Sequence, residues 1–149
     1  MIITLLEPQI PPNTGNIARL CAATNTRLEI VGNIGFDLTE KAVRRAGLDY
    51  WQYLDWEYFE DLDAYIETLN PQEIHLLSKK VTLPYSQRIF KPQDRLIFGS
   101  EITGISEIYL DRFVEQTCTI PMQNPNIRSL NLGNSVAIVL YEAQRQQNI

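Results

Sequence analysis

Apolar residues along the chain switch repeatedly between two spacings, and the switching predicts strands alternating with helices. Residues 2–6 (IITLL) are a continuous apolar run of strand length. Ile17, Leu20, Cys21 and Thr24 then recur at helical spacing, with Asn13 and Thr14 offering N-cap side chains at the start. Residues 27–32 (RLEIVG) read as a second strand. A helix over about 38–46, closed by Gly47, puts Leu38, Ala42, Val43 and Ala46 on one side and Lys41, Arg44 and Arg45 on the other. The aromatic stretch 50–56 (YWQYLDW) contains a further strand, and Leu62, Tyr65, Ile66 and Leu69 mark a helix stopped by Asn70-Pro71. Strands follow near 74–77 and 96–98, then a short helix around 106–113, a strand over 117–120 and a last helix through Leu132, Val136, Val139, Leu140 and Ala143.

Elements in this order predict an α/β protein with a mostly parallel sheet. At 149 residues, without an internal repeat, linker or low-complexity tract, one domain over 1–149 is expected. No apolar run reaches the ~20 residues of a membrane span, and Glu7-Pro8 interrupts the first strand before it could serve as a signal peptide, so a cytoplasmic protein is expected. Lys and Arg number 13 against 18 Asp and Glu. A net charge of −5 excludes a basic domain held to nucleic acid by bulk attraction, so any RNA contact needs a local cluster.

Candidate chemistry is sparse. Cys21 in a helical stripe and Cys118 in a strand have no Cys or His at ligand spacing and read as reduced core thiols. His75, the only histidine, sits within an apolar strand, which leaves neither a zinc site nor a Ser/His/Asp triad to expect. In a parallel sheet, ligands gather where loops leave the carboxyl ends of strands. Three loops there are rich in Gly, Pro and polar residues: 7–15, 99–104 and 121–131. The 99–104 loop (GSEITG) has the glycines of a phosphate-binding loop but Ile105-Ser106 where that motif needs Lys then Ser or Thr, and no G-x-G-x-x-G follows the first strand. Nucleotide hydrolysis and dinucleotide binding are therefore poor readings. The loop remains a surface turn or a device that sets Glu101 beside a ligand. Arg19 lies about 200° around its helix from Ile17, away from the apolar stripe. It is either a solvated side chain or a guanidinium placed for a phosphate. Asn131 is placed to cap the last helix, which leaves the clustering of Arg128 and Ser129 beside it unexplained.

Taken together, residues 7–21 (EPQIPPNTGNIARLC), 44–50 (RRAGLDY), 98–104 (FGSEITG), 120–122 (IPM), 128–132 (RSLNL) and 141–143 (YEA) resemble the SPOUT superfamily of methyltransferases. The resemblance is to its small tRNA (cytidine/uridine-34) 2′-O-methyltransferases, and it runs from Ile2 to about Arg145. It implies an α/β fold with a trefoil knot in the C-terminal half, holding S-adenosylmethionine against Leu77, Gly99, Ile120, Met122, Ser129 and Leu130. It also implies a homodimer in which Arg19 of one subunit faces the cofactor of the other. The reaction it implies is methylation of the wobble ribose in the tRNA anticodon stem-loop, without a metal. Arg19, Asn13, Glu101, Ser129 and Asn131 are the candidate catalytic and positioning residues. Lys41, Arg44, Arg45 and Arg128 are the candidate RNA contacts. Arginine as a residue type stays protonated at working pH, so Arg19 is expected to bind phosphate and steady alkoxide charge, while a phosphate oxygen, water or Glu101 takes the proton. Ser100 and Thr103 stand where that family commonly has Pro and Arg, and the loop between Met122 and Arg128 is one residue longer. Two alternatives stay open: a ribose methyltransferase for another RNA such as rRNA, and a catalytically silent knot protein that binds RNA or cofactor.

Overall fold

The computed structural model describes residues 1–38 and 50–148. Six strands, β1 (Ile2–Leu6), β2 (Arg27–Val31), β3 (Trp56–Phe59), β4 (Ile74–Leu77), β5 (Arg95–Phe98) and β6 (Thr117–Cys118), pair in the order β3-β2-β1-β5-β4-β6, every pair parallel. Around them lie α1 (Pro11–Ala23), α2 (Leu62–Glu67), α3 (Glu107–Arg112) and α4 (Leu132–Gln146). The α/β class and parallel sheet expected from periodicity are present.

The apolar strand runs follow from burial on both faces, as parallel sheets require. Ile3, Leu5, Leu28, Ile30, Leu96 and Phe98 pack with Ile17, Ala18 and Cys21 of α1 and Val136, Val139, Leu140 and Ala143 of α4. Their alternates Leu6, Val31, Leu76 and Ile97 pack on the other face with Tyr65 and Ile66 of α2 and Leu110 of α3. Both cysteines are buried and unpaired, as expected, and burial pushes the Cys21 thiol up to about 12.

One charged group breaks the second face. Glu29 is buried between Arg95, whose Nε and Nη2 donate to it at 3.0 and 3.1 Å, and the Tyr65 hydroxyl, which also donates. Burial raises this carboxyl, but the Arg95 and Tyr65 hydrogen bonds and the nearby Arg95 and Arg27 charges outweigh it and hold the group below its ordinary range.

Three local expectations need correction. The first helix begins at Pro11, two residues before Asn13, and has no side-chain cap, because two prolines occupy positions whose N–H groups would have been orphaned anyway. Asn13 is therefore inside the helix. The stretch 50–56 folds as a helical turn at Trp51–Tyr53, with the strand starting only at Trp56; Trp51 and Trp56 meet edge-on at 4.8 Å. The strand expected over 117–120 ends at Cys118, since Thr119 leaves the sheet to pair with residues 83–85 through Thr119 N to Leu83 O and Tyr85 N to Thr119 O, both 2.8 Å. The helix expected over 38–46, with Lys41, Arg44 and Arg45, falls outside the described residues apart from Leu38.

At the opposite end of the sheet from the ligand loops, His75 is nine-tenths buried and its Nε2 lies 2.8 Å from Oδ2 of buried Asp94. Burial lowers the imidazole pKa from the ordinary 6.5, assisted by the Arg88 and Lys91 charges and opposed by Asp94. The unfolded chain thus takes up a proton near pH 6.5 that the native imidazole resists, so the His75 contribution to stability is full above that pH and falls as the medium is acidified, while the N-terminal amine, also lowered by burial, adds a dependence of the same sign from its ordinary 8.0 downward. Losses from Glu29 begin only below its ordinary 4.5. Denaturant midpoints measured from pH 7.5 to 5 are expected to decline, and His75→Gln is expected to flatten that slope; an unchanged slope in the variant would contradict the assignment.

Candidate active site

The three loops named from the sequence meet at the carboxyl ends of β1, β5 and β6, and they are bonded to one another. The first turns out of β1 through Glu7, in the left-handed region at φ 50°, and delivers Gln9 N to Glu101 Oε2 at 2.8 Å. Because Pro11 and Pro12 start the helix early, Asn13 sits in its first turn with its side chain turned to the other loops. Its Nδ2 donates to Glu101 Oε1 at 3.0 Å and its Oδ1 accepts from Asn131 Nδ2 at 2.9 Å. Asn131 Oδ1 in turn accepts from Asn134 N at 3.2 Å, capping α4 as expected. Glu101, Asn13 and Asn131 thus form one chain of hydrogen bonds across three segments distant in sequence. Each Glu101 oxygen accepts a hydrogen bond, one from the Gln9 backbone and one from Asn13, so the carboxylate ties the first and middle loops together.

The middle loop is closed on itself. Gly104 N donates to Ser100 O at 2.8 Å, and Gly104 sits at φ +71°. A Cβ on Gly99 would lie 2.2 Å from the Gly104 carbonyl carbon and 2.3 Å from Ile105 N. The backbone approach exists only because residue 99 has no side chain. Ser100 fits this turn: its hydroxyl accepts from Ile102 N at 3.3 Å. Thr103 is exposed on the lip of the cleft.

Between these loops lies a cleft of about 610 Å³, a size suited to a small organic ligand. All six residues named for the cofactor line it: Leu77, Gly99, Ile120, Met122, Ser129 and Leu130. Asn13, Glu101, Asn131 and Arg128 line it too. Segments 120–122 and 128–131 lie outside helix and ladder, leaving their backbone groups free of regular pairing. Apolar walls beside open backbone suit a heteroaromatic ring with polar edges. Among the described residues, no group of three His, Cys, Asp or Glu is placed to hold a metal ion, and no helix is long and apolar enough to cross a membrane.

Lys79 and Lys80, which sequence reasoning missed, also line the cleft. Lys79 Nζ donates to Arg128 O at 2.9 Å, and Lys80 pairs with Glu107 at 2.8 Å. Their signal was their place directly after β4, at the same end of the sheet as the three chosen loops. Arg19 is exposed on α1 and does not line the cleft of its own chain; its guanidinium lies over the Tyr50 ring, 4.8 Å from the centroid.

The model of the SpoU rRNA methylase family matches residues 1–141. The chain belongs to that family. Among methylases of known role, it is 46% identical over 145 residues to the tRNA (cytidine(34)-2′-O)-methyltransferase of Escherichia coli (strain K12), covering 97% of this chain and 92% of that protein. It is 44% identical over 147 residues to the enzyme of the same name from Methylovorus glucosotrophus (strain SIP3-4), covering 98% and 95%. A methylase structure solved to give insight into the 2-OH methylation of C/U34 on tRNA superposes with a TM-score of 0.88 at 37% identity, covering 99% of this chain and 95% of that one.

Proposed function

We propose that this methylase transfers a methyl group from S-adenosylmethionine to the ribose 2′-hydroxyl of the wobble nucleotide, cytidine or modified uridine, at position 34 of tRNA. Identity above 40% over nearly the whole chain to enzymes of that name carries the reading. The cleft is compatible with it: Leu77, Ile120, Met122 and Leu130 offer apolar contact to an adenosine, while Gly99, Ser129 and the neighbouring backbone offer polar edges. The cofactor, when bound there, supplies a methyl group already activated by a positive sulfur, so the reaction needs no metal.

The chain's own residues then have positioning and electrostatic work. Glu101, Asn13 and Asn131 fix the loops that carry the ribose and donor, which shortens the search for an in-line approach. Ser129 stands on the cleft wall within reach of a ribose. The 2′-hydroxyl would give up its proton to water, a phosphate oxygen or Glu101, and the negative charge that develops on the 2′-oxygen would be consumed as its bond to the methyl carbon forms and the sulfur–carbon bond breaks. Arg19 meets that charge and the adjacent phosphate. Because Arg19 lies outside its own cleft, this role calls for a homodimer, with Arg19 of one subunit beside the cleft of the other. Ile138 and Tyr141 of α4, both exposed, offer apolar surface for such an interface. The basic rim of Lys79, Lys80 and Arg128 suits the anticodon stem-loop backbone, with Lys41, Arg44 and Arg45 as further contacts.

The C-terminal half is inferred to be a trefoil knot. In support, the segment after β6 is gripped by the loop after β4, through Ser78 N to Cys118 O, Thr119 to residues 83–85 and Lys79 to Arg128, before α4 returns to pack on α1. A single domain acting in the cytoplasm, where tRNA is modified, completes the reading.

Incubation of the purified protein with radiolabelled S-adenosylmethionine and, in parallel, bulk tRNA or rRNA, with RNA binding measured alongside and the labelled nucleotide mapped, is expected to place the methyl group on the ribose of residue 34 of tRNA. Label in rRNA but not tRNA would give the protein another RNA substrate, and binding without label would make it a silent knot protein; either contradicts the proposal.

A further inference from the structure

We infer that Tyr50 is a positioning residue for Arg19, serving as the platform over which its guanidinium is held; this rests on the reading that Arg19 serves methyl transfer. Among the described residues the Arg19 guanidinium makes no hydrogen bond or ion pair, and it lies over the Tyr50 ring, 4.8 Å from the guanidinium carbon to the centroid. That is within the range of a cation–π contact. A guanidinium lying over a ring keeps its N–H groups at the free edges, where they can reach phosphate or ribose oxygens in the plane. An arginine restrained through hydrogen bonds would have spent those donors.

The platform is itself anchored. Tyr50 O accepts from Tyr53 N at 2.9 Å at the start of the helical turn, and Leu54 N donates to Trp51 O at 3.2 Å. Leu54 is buried in the larger core cluster, with Trp51 and Trp56 packed against it. Tyr50 is 40% exposed and among the described residues its hydroxyl makes no hydrogen bond, so what it presents to Arg19 is the ring face. Tyr50 is thereby joined physically to the helix of the first motif, a link that sequence spacing does not reveal.

The test compares Tyr50→Leu, Tyr50→Phe, Arg19→Ala and the Arg19→Ala/Tyr50→Leu pair, reading kcat and KM for tRNA methylation, cofactor affinity, thermal midpoint and tRNA affinity. Tyr50→Leu is expected to lower kcat by roughly 3- to 30-fold, the range a cation–π contact spans, with cofactor affinity and thermal midpoint unchanged. Tyr50→Phe should rescue most of that loss. Measured as tRNA affinity, which stays readable when turnover does not, Tyr50→Leu should add nothing once Arg19 is alanine. Equal losses in the Leu and Phe variants, or a further loss in the double variant, would overturn the inference. Wild-type turnover in Tyr50→Leu alongside inactive Arg19→Ala would overturn it while leaving Arg19's role intact. Wild-type turnover in Arg19→Ala would instead overturn the reading of Arg19 itself, and the inference with it.

Discussion

Gly99→Ala is expected to abolish cofactor binding and methyl transfer together. The added Cβ would stand 2.2 Å from the Gly104 carbonyl carbon, 2.3 Å from Ile105 N and 2.6 Å from Gly104 O, all of them backbone atoms that no change of rotamer can move aside. Relief requires opening the Ser100–Gly104 closure, and with it the wall that carries Glu101. Overpacking commonly costs about 1–3 kcal/mol even where side chains can yield. Here the displaced atoms belong to the cleft itself, so S-adenosylhomocysteine affinity should fall by at least roughly 100-fold, equivalent to about 3 kcal/mol. Isothermal calorimetry measures this directly. Gly104→Ala is the informative control: space around that Cβ is open and only the left-handed backbone at φ +71° opposes it, at a cost of about 1–2 kcal/mol. It should therefore bind much better than Gly99→Ala, and comparable binding by the two variants would contradict the steric account.

Arg19→Ala is expected to lower methyl transfer by roughly 100- to 1000-fold, the range for removing a group that meets developing charge. Cofactor affinity should stay within about twofold, because Arg19 does not line the cleft of its own chain. Arg19→Lys should recover part of the activity, since it restores the charge without the planar fork that rests on Tyr50. Single-turnover rates beside calorimetric cofactor affinities separate the two effects. A lysine variant as inactive as the alanine variant would assign the whole effect to guanidinium geometry, and an alanine variant at wild-type rate would remove Arg19 from the mechanism.

The fold was legible because both faces of a parallel sheet are covered, which turns each strand into an apolar run, and because α1 and α4 carry long apolar stripes. The cleft was legible in outline, since Gly- and Pro-rich loops cluster at the carboxyl ends of strands. What stayed hidden were relations between distant residues. Asn13 looks like a cap because Asn commonly is one; only the sheet order, which brings β1 beside β5, reveals that its side chain links Glu101 to Asn131. Glu29 and Arg95 show no pairing signal at a separation of 66 residues, yet they form an ion pair whose carboxylate is buried. Lys79 and Lys80 were within reach, since they follow a strand at the ligand end of the sheet, but the residues directly after that strand (78–83, SKKVTL) include no Gly or Pro and give little local warning.

A structure of the protein with S-adenosylhomocysteine bound tests the central claim most directly. The product should lie between the 99–104 loop, Ile120–Met122 and Ser129–Leu130, with the Glu101–Asn13–Asn131 hydrogen bonds intact and Arg19 of a partner subunit beside the sulfur. Density for the product elsewhere, or Arg19 remote from every bound copy, would contradict the account.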